Sequence, residues 1–563
     1  MTLVKKADPL EYDRTDADSW IDFLNETAIN VRSPEYGAVG DNVTNDAPAI
    51  QLAIDAVSAS GGVVYIPAGT YRVTSSIVFP TDRQVRLMGA GPQSTILHVP
   101  SGTTATPGVI HLRGTELRSS VEYLQILFDQ PNTNVRGDLT AYVPAIYAQS
   151  IARFRVQHVR IFLAWTGIDM RGNATAEIND VEMSHFHTGI WIDGSLDSIR
   201  IAHLHDWVFA MSATQQEALA HADNCGVRIG RADGVHISNS LFHCGTSVFT
   251  FPGVVTAGSA NLLITNCAFD TYGGLTLRAG KVRVSDSGFG IRTADGYWGI
   301  FAIPPADGSS VQVSNCYFLS DAGSAGPLVE FRGEAAAGFL EVHLQGNHFN
   351  TLGGDQYSIV ADATAGGFIN LSVTGNHFTR TANIAYTDGM LFIGTQVRAT
   401  VAGNITLDKG TGAGDFLVST AAGLVVEGNI LPGWGLNYAS GLQPYSNNNL
   451  TASITGNLRE RMAAAGYVQA SGIDALTDAG TPPFAVKRLT GTLNGSGAGA
   501  VAHGIANAFQ LGLIVQAWYK GAGGAMGPLN ITAVDGTNVN VTGGTAGATF
   551  RVTVLYSSNA HAW

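Results

Sequence analysis

The sequence has few charged residues. Asp, Glu, Lys and Arg make up 13% of its 563 residues, and acidic side chains outnumber basic ones by 44 to 31, for a formal net charge of −13. No long basic run occurs. A protein that binds nucleic acid through its phosphates needs a positively charged surface. The composition therefore argues against nucleic acid as a partner.

Cysteine is scarce, and the four cysteines form no CxxC pair. Cys267 and Cys316 stand in two similar segments, TNCAF and SNCYF, which predicts small buried packing residues rather than reactive thiols or metal ligands. Two pairs of histidines at i, i+2 spacing between residues 185 and 205 could hold a metal. Histidine also fills turn and strand positions in this chain, so we expect neither a metal nor another cofactor.

Long hydrophobic runs are absent. No segment reaches the length that a membrane-spanning helix needs, and the first residues, MTLVKKADPLEYDR, contain no apolar signal core. We therefore expect no membrane partner, and synthesis in a cytoplasm without the usual export peptide.

Glycine is abundant, with 68 residues, and the sequence contains one clear amphipathic helix. It is predicted within residues 36–62, where apolar side chains recur at i, i+3, i+4 and i+7 from Ile50 to Val57. Asp46 and Pro48 supply the residue types that begin a helix. Elsewhere the chain is typical of strands and turns.

A sequence pattern repeats along the chain every 20 to 36 residues, and each repeat is long enough for one set of strands. VQHVRIFLAWTGI (156–168) and INDVEMSHFHTGI (178–190) align without a gap at a spacing of 22. Asn, Asp or Gly recurs at a tight turn, because the left-handed φ there costs these residues least. The pattern predicts a solenoid with one coil per repeat. The turn residues are His158, Asp180, His203, Asn239, Asn266, Asp286, Asn315, Gly346, Gly375, Gly403, Gly428 and Gly456.

The stretch YGAVGDNVTNDAPAIQLAIDAV, followed by GGVVYIPAGTYRVTSSIVFPTDRQVRLMGAG, resembles the start of the pectate-lyase-like superfamily. That resemblance implies an all-β chain, a right-handed parallel β-helix whose first end is covered by a helix. Pectate lyases, related glycanases, phage tailspikes and capsule depolymerases share this fold. The resemblance is therefore more specific for fold than for reaction.

Five segments are predicted. Residues 1–33 form a stem or attachment segment, 34–100 the capping helix and first coils, and 101–462 the parallel β-helix with a catalytic groove. Residues 463–485, which contain TPPF, form a linker. Residues 486–563 form a small C-terminal β-sandwich, which resembles modules that support trimerisation or bind sugar in phage tail proteins.

Strand alternation predicts which side chains face outward on one sheet of the solenoid. Aromatic rings suit sugar C–H faces and arginines suit acidic substituents, so the outward columns predict a glycan groove. The alternative is that loops or a neighbouring subunit cover these side chains. Inward residues are Ile168, Ile190, Val227, Val248, Leu275, Ile300 and Val329. The first outward column is Asp169, Trp191, Arg228, Phe249, Thr276, Phe301 and Glu330, and the second is Arg171, Asp193, Gly230, Phe251, Arg278, Ile303 and Arg332.

The longest gap between turn residues, from His203 to Asn239, predicts a loop beside this groove, and loops on rigid scaffolds often carry function. Asp169 and Asp193 have an expected Cα separation of roughly 8 Å, which permits an inverting pair of carboxylates. The catalytic candidates are Asp169, Asp193, Asp206, Glu217, His221 and Asp223. The substrate-binding candidates are Trp191, Trp207, Arg228, Tyr272, Arg278, Tyr297, Trp298 and Glu330.

β-Elimination is the alternative chemistry, and it needs a base and a group that neutralises a uronate carboxylate. Arg228, Arg278, His221 and Tyr272 could serve. The Asp-Asp, Gly-His-Gly and Arg-Ile-Lys motifs of polygalacturonases are absent, and so is the Asp-Pro-His-Asp run of alginate epimerases. These two specific activities are therefore not predicted.

The resemblance implies a phage tailspike that cleaves a bacterial surface polysaccharide, which is a capsule, exopolysaccharide or O-antigen. Hydrolysis by an Asp/Glu pair is preferred over lyase chemistry, and a non-catalytic receptor-binding fibre is the rival from another class. The resemblance also implies a homotrimer that works in the virion tail with other phage tail proteins as partners.

Overall fold

A computed structural model describes the chain over residues 28–114, 118–148, 151, 153–173, 175–219, 223–243, 245–254, 260–271, 273–291, 298–303, 308–320, 327–333, 338–351, 357–380, 388–406, 415–421, 423–431, 435–438, 445–447, 473–474, 484–502, 511–520, 526–534 and 538–557. The chain divides into two compact units, residues 1–450 and 451–563. The predicted turn residue Gly456 lies outside the described residues, and the predicted domain boundaries stay predictions.

Helices are few in the described chain. They are α1 (Ala47–Asp55), α2 (Ala213–Gln216) and two 3-10 turns, Arg136–Asp138 and Glu217–Leu219. None of these helices has the length and apolar character that crossing a membrane requires.

Parallel strands build the first unit. The strands up to the longest loop are β1 (Ala28–Asn30), β2 (Asp41–Asn45), β3 (Gly62–Ile66), β4 (Gly69–Arg72), β5 (Ile77–Val78), β6 (Val85–Gly89), β7 (Thr95–Val99), β8 (Ile110–Leu112), β9 (Arg118–Glu122), β10 (Gln125–Phe128), β11 (Ile146–Ala148), β12 (Arg153–Asp169), β13 (Thr175–Ile192) and β14 (Ser195–Asp206).

The strands that follow that loop are β15 (Cys225–Ile229), β16 (Ala232–Ser238), β17 (Leu241–Phe242), β18 (Thr246–Thr250), β19 (Ala260–Thr265), β20 (Ala268–Thr271), β21 (Gly273–Leu277), β22 (Lys281–Ser285), β23 (Gly288–Ile291), β24 (Ile300–Ala302), β25 (Ser309–Ser314), β26 (Tyr317–Ser320), β27 (Val329–Arg332), β28 (Phe339–Gln345), β29 (His348–Thr351), β30 (Ile359–Asp362), β31 (Phe368–Thr374), β32 (His377–Arg380), β33 (Asp388–Ile393), β34 (Val397–Ala402), β35 (Ile405–Thr406), β36 (Asp415–Ser419), β37 (Gly423–Glu427), β38 (Gly435–Tyr438) and β39 (Tyr445–Asn447).

Each coil contributes to three parallel ladders, which we call the first, second and third sheets in the order that the chain visits them. In the later coils β16, β19, β22 and β25 belong to the first sheet, β17, β20, β23 and β26 to the second, and β18, β21, β24 and β27 to the third. The long strands β12 and β13 pass through all three sheets. The predicted parallel β-helix is therefore confirmed.

The corner between the first and second sheets has the predicted turn residues. Every one of them in the described chain has a positive φ, from 50° at Asn239 to 65° at Gly346. From Gly346 onward glycine takes the left-handed position, and the following asparagines stack inside the solenoid. The side-chain amide of Asn376, for example, donates to Asn404 Oδ1 at 3.0 Å and to the Leu344 carbonyl at 2.9 Å. Such ladders satisfy buried polar groups coil by coil.

The interior of the second sheet is a stack of phenylalanines. Their ring centroids lie 4.6 to 5.4 Å apart from one coil to the next, and all are buried. Offset stacks of this kind add to the free energy that burial contributes. Cys267 and Cys316 are buried near this stack, as predicted, and burial raises the thiol pKa values to about 11 and about 12. The stacked rings are Phe242, Phe269, Phe289, Phe318, Phe349 and Phe378.

The predicted capping helix is α1, and its apolar face from Ile50 to Val57 is buried. Asp46 stands before the helix but does not cap it with its side chain. Its buried carboxylate accepts hydrogen bonds from the backbone N–H groups of Val39 and Gly40 at 2.7 and 3.1 Å. Asp46 therefore holds the preceding loop, and Pro48 provides the helix start.

The second unit is antiparallel. A five-stranded sheet has the order β40-β41-β47-β43-β44, and a three-stranded sheet has the order β42-β46-β45. The predicted sandwich packing of these sheets stays a prediction. The strands are β40 (Ile473–Asp474), β41 (Phe484–Thr492), β42 (Gly499–Ala502), β43 (Leu511–Lys520), β44 (Met526–Pro528), β45 (Asn530–Val534), β46 (Asn538–Thr542) and β47 (Thr549–Ser557).

Candidate functional site

The third sheet presents the outward column that alternation predicts. Asp169 pairs with Trp191, Trp191 with Arg228, and Arg228 with Phe249, while the inward residues beside them are buried. The register continues through Thr276, Phe301 and Glu330. Trp191, Arg228 and Phe249 remain partly exposed. The predicted column is confirmed as a feature of the fold, and we call its first four residues together with Arg171 the arginine–aromatic stripe.

Arginines lie over the aromatic rings of this stripe. The guanidinium carbons of Arg171 and Arg228 are 4.1 and 5.3 Å from the Trp191 ring centroid, and Arg228 is 5.4 Å from the Phe249 centroid. Cation–π contacts of this kind orient a guanidinium and limit its mobility. Trp191 therefore positions the two arginines along the stripe.

Two donors of the stripe have no internal hydrogen-bond partner. Within the described residues, Arg228 Nε and Trp191 Nε1 are buried and unpartnered. A buried donor without an acceptor costs free energy, so such groups usually meet a ligand or ordered water.

Asp169 is an anchor for Arg171. It is only 3% exposed, and its two oxygens accept from Arg171 Nε and Nη2 at 2.9 and 2.7 Å. This fork raises the pKa of Arg171, and burial, followed by the negative charge of Asp169, raises the pKa of neighbouring Tyr147. The charge of Asp169 is thus already neutralised, which favours a positioning role over the predicted catalytic one.

Asp193 is buried, in contrast to the prediction that it faces a substrate. It is 1% exposed, and its oxygens accept from the backbone N–H groups of Arg231 and Val254 at 3.0 and 2.9 Å. Gly230, the next residue in its column, has no side chain, so the carboxylate fits over it. The alternation is correct, but the loops at 231 and 254 cover Asp193, so a substrate on the surface would not reach its carboxylate.

Asp206 is also misplaced by the sequence prediction, which assigned it to a loop. Strand β14 continues through Asp206, which pairs with Phe242 and points into the solenoid with no exposure. Its carboxylate lies 3.2 Å from Nε2 of His185, which is equally buried. Because a substrate on the surface cannot reach this pair, Asp206 is a core residue.

Trp207 lies on the second sheet, whereas the prediction placed it beside Trp191. Its backbone N–H donates to the Met183 carbonyl at 2.9 Å, and its ring packs against His243 at a tilt of 32° with centroids 4.0 Å apart. The backbone pairing of the second sheet therefore continues one residue beyond the end of β14, so the Trp207 ring lies on the second sheet and not on the third. Trp207 is therefore not part of the arginine–aromatic stripe.

Two insertions form a wall beside the stripe. The segment 129–142 contacts the segment 207–223 through Gln215, whose side chain donates to the Pro131 carbonyl at 3.0 Å, and through Asn134, which donates to Glu217 at 2.8 Å. Glu217 and Asp223 are exposed on this wall, and His221 lies outside the described residues. The predicted loop is therefore present, and it is hydrogen-bonded to the other insertion.

A cluster that the sequence analysis missed lies between this wall and the stripe. The rings of Trp165 and His187 stack with centroids 5.4 Å apart and an interplanar angle of 13°. Arg136 lies 4.9 Å from the Trp165 centroid and 3.8 Å from Asp223, and it donates to the Phe186 carbonyl. We call Arg136, Trp165, His187 and Asp223 the His187 cluster. Trp165 and His187 are 22 residues apart and occupy equivalent positions of the repeat. This spacing is the sequence feature that could have predicted the stacked pair.

His187 is a neutral imidazole. Burial, followed by the positive charges of Arg228 and Arg136, lowers its pKa to about 4, although the ring remains partly exposed. Its Nδ1 lies 2.9 Å from the Thr188 hydroxyl. A neutral histidine beside two arginines can accept a proton from a group whose negative charge the arginines stabilise.

The later rungs of the column continue the same composition. Trp298 stacks on Phe301 with centroids 4.7 Å apart, and Arg332 lies 5.3 Å from the Phe301 ring. Glu330 is 5% exposed and accepts from Arg332, while Arg278 is exposed. The predicted residues Tyr272 and Tyr297 lie outside the described residues. Within the described chain, no three His, Cys, Asp or Glu side chains are grouped to hold a metal ion.

Comparison with known proteins gives related families. A sequence model described as rhamnogalacturonase A/epimerase, pectate lyase-like, matches residues 28–274. The chain is 34% identical over 122 residues to a mannuronan C5-epimerase and 31% identical over 140 residues to alginate lyase 7, both of Azotobacter vinelandii. These alignments cover 20% and 22% of this chain, and only 9% and 16% of the two relatives.

A solved structure has a similar fold. A tailspike protein mutant of E. coli bacteriophage HK620, in complex with a pentasaccharide, matches with a TM-score of 0.51 at 13% identity over 96% of this chain and 95% of that chain. At this identity the likeness concerns the fold alone. Together with the family match, it confirms the predicted pectate-lyase-like right-handed β-helix.

Proposed function

We propose that this chain, a pectate-lyase-like right-handed β-helix, binds an acidic bacterial surface polysaccharide along its arginine–aromatic stripe and cleaves it at the His187 cluster. The observation that carries the proposal is the partly exposed His187 ring, which stacks on Trp165 beside the Arg136 guanidinium, with a pKa that burial and the charges of Arg228 and Arg136 lower to about 4. Arginines in a fixed orientation suit carboxylates, because their planar forks form two parallel hydrogen bonds. Trp191 and Arg228, an aromatic ring and a guanidinium that lie together and are partly exposed, support the same ligand class.

β-Elimination is the chemistry that this arrangement supports best. In the tautomer whose Nδ1–H donates to Thr188, Nε2 of His187 has its lone pair available for the C-5 proton of a uronate. Arg136 and Arg228 stabilise the charge that develops on the uronate carboxylate. The electron pair of the C-5–H bond forms a C-4=C-5 double bond, and the C-4–oxygen bond breaks. Its electron pair leaves with the glycosidic oxygen, which takes a proton from water. The names of the two relatives, which specify alginate and C5 of mannuronan, agree with a uronate substrate.

Hydrolysis remains the second candidate because Glu217 and Asp223 are exposed on the wall beside the stripe. Among the candidate carboxylates that the structure describes, these two are exposed, so a substrate could reach them. The preferred pair from the sequence, Asp169 and Asp193, supports hydrolysis less well, since both carboxylates are buried and already hydrogen-bonded.

The products distinguish the two reactions. We expect incubation with capsule, exopolysaccharide or alginate to shorten the polymer and to produce an unsaturated end group that absorbs in the near ultraviolet. New reducing ends without that absorbance would instead show hydrolysis. A lack of shortening on every host polysaccharide, with binding retained, would contradict both and favour a non-catalytic receptor-binding fibre.

The setting we propose for this activity is the tail of a phage virion. The shared fold with a phage tailspike that was solved with a pentasaccharide supports it. We propose a homotrimer, with the second unit as a support for assembly and other tail proteins as partners. In sedimentation the full chain should therefore have three times its mass of 58.9 kDa, whereas removal of residues 486–563 should weaken the assembly. A monomeric full chain at micromolar concentration would refute the trimer without bearing on the cleavage chemistry.

A further inference from the structure

The outward side of the second sheet contains a concavity that the proposed cleavage does not use. Its volume is about 470 Å³. It lies against β17, β20 and β23, away from the third-sheet stripe. The lining residues that matter here are His205, Leu241, Asn266, Ala268, Asp286 and Gly288.

Two small residues, Ala268 and Gly288, form the floor of this concavity between the larger side chains of Leu241 and Tyr317. Leu241, Ala268, Gly288 and Tyr317 stand in register on successive coils. A Cβ atom added to Gly288 would have no heavy atom within 4 Å, so the space above it is open. With strands about 4.8 Å apart, the trough between Leu241 and Tyr317 is roughly 14 Å long. That length accommodates a short oligosaccharide.

Aromatic rings stand at both ends of the trough. At one end the Trp207 ring packs at a tilt of 32° against His243, whose Nδ1 lies 2.7 Å from the Asp270 carbonyl, and the centroids of the His205 and Trp207 rings are 6.0 Å apart. At the other end Tyr317 is 39% exposed, although its ring is large and apolar. Ring faces held in place at both ends of a small-residue floor suit the C–H faces of sugar rings.

A polar edge follows the corner along one side of the trough. Asn266 donates to Asn239 at 2.6 Å and Asn315 donates to Asp286 at 3.4 Å. Between Asn266 and Asp286, the described contacts include no hydrogen bond, and both side chains are exposed. The amide and carboxylate can therefore bond to sugar hydroxyls, as donor and acceptor respectively.

We infer that this trough is a second carbohydrate-binding site, which takes an uncharged hexose oligosaccharide. Its lining contains no arginine or lysine, in contrast to the stripe on the third sheet, and Asp286 would repel an acidic sugar. The site needs only binding, so the inference is independent of the cleavage reaction. Two sites of different charge preference would let the protein hold a heteropolysaccharide by its neutral segments while acidic segments reach the stripe.

Affinity electrophoresis of the full chain tests the inference. Native gels would contain dextran, galactomannan or β-glucan as neutral probes, and polygalacturonate or alginate as acidic probes. We expect at least one neutral polymer to retard the parent protein. Gly288→Gln fills the open floor without a backbone clash, and Trp207→Ala removes one ring. Each should reduce retardation in the neutral gel at least tenfold, while cleavage of acidic polymer stays within twofold.

The matched control is Arg228→Ala, which should lose retardation by acidic polymers and keep retardation by the neutral one. Neutral retardation that survives both Gly288→Gln and Trp207→Ala would overturn the inference, and so would no retardation by any neutral probe. If Gly288→Gln instead lowers the mass in sedimentation, the trough is a contact between copies of the chain and the inference is also overturned. If a neutral polymer retards the protein but no acidic polymer does, the result counts against the proposed function and not against this site.

Discussion

Replacement of His187 with alanine should lower kcat for polysaccharide cleavage by about 10³-fold, within the range that a general base contributes. The imidazole is the neutral base beside the stripe, and Arg136 and Arg228 keep it neutral. Polymer binding should change little, because the guanidinium groups remain in place. Initial rates of near-ultraviolet product formation and binding to a cleavage-resistant polymer give the two measurements.

His187→Asn is the variant that separates a base from a structural residue. Asparagine can still hydrogen-bond Thr188 but cannot take a proton, so its rate should fall as far as that of the alanine variant. His343→Asn, at a partly exposed histidine that pairs with Glu341, should leave the rate unchanged. Trp191→Ala should raise KM more than it lowers kcat, since it frees the two arginines. A His187→Asn enzyme with near-parental activity would contradict the proposed base.

The acid side of the pH profile should follow His187. Its pKa of about 4 means that the ring is neutral, and able to act as a base, above about pH 4 and protonated below it. Cleavage should therefore persist down to about pH 4 and then fall. Arg136→Gln removes one of the charges that lower this pKa, so it should move the acid limb to higher pH. An acid limb that does not move would show that another group controls it.

The solenoid and its column could be predicted because both depend on local regularities. The two-residue alternation of a strand identifies Ile190 as inward and Trp191 as outward, and the left-handed turn at Asn239 requires a residue that tolerates positive φ. Because each repeat forms about one coil, residues at equivalent positions of successive repeats then stack on one another. These rules hold without knowledge of any loop.

The chemistry of the site could not be predicted in the same way because it depends on contacts between distant segments. Asp193 is covered by the backbone N–H of Val254, 61 residues later, and the pKa of His187 depends on Arg136, which an insertion brings from 51 residues earlier. Asp206 and Trp207 were misassigned because the sequence does not show where β14 ends. The outward columns were therefore predictable, whereas the charge state and exposure of individual side chains were not.

Asp206→Leu should destabilise the first unit by about 3 kcal/mol, which is typical when one partner of a buried pair is removed. His185 would remain inside the solenoid with no acceptor for Nε2, while its Nδ1 already has no hydrogen-bond partner among the described residues. For a unit of about 450 residues, with an unfolding entropy of about 2 cal/mol/K per residue, the melting temperature should fall by roughly 3 °C. Thermal unfolding at a fixed scan rate measures this shift.

The double variant His185→Leu with Asp206→Leu tests the cause of that loss. Two apolar side chains leave no unpaired polar group in the core, so the double variant should be more stable than the Asp206 single variant and close to the parent. If both variants melt equally early, the loss comes from packing leucine into the confined space beside Gly226, where Asp206 Oδ2 leaves no room for a Cβ atom, and not from the unpaired histidine. Activity gives the decisive contrast with His187. Folded Asp206→Leu should cleave at nearly the parental rate, because Asp206 stabilises the coil beneath the site and takes no part in the reaction.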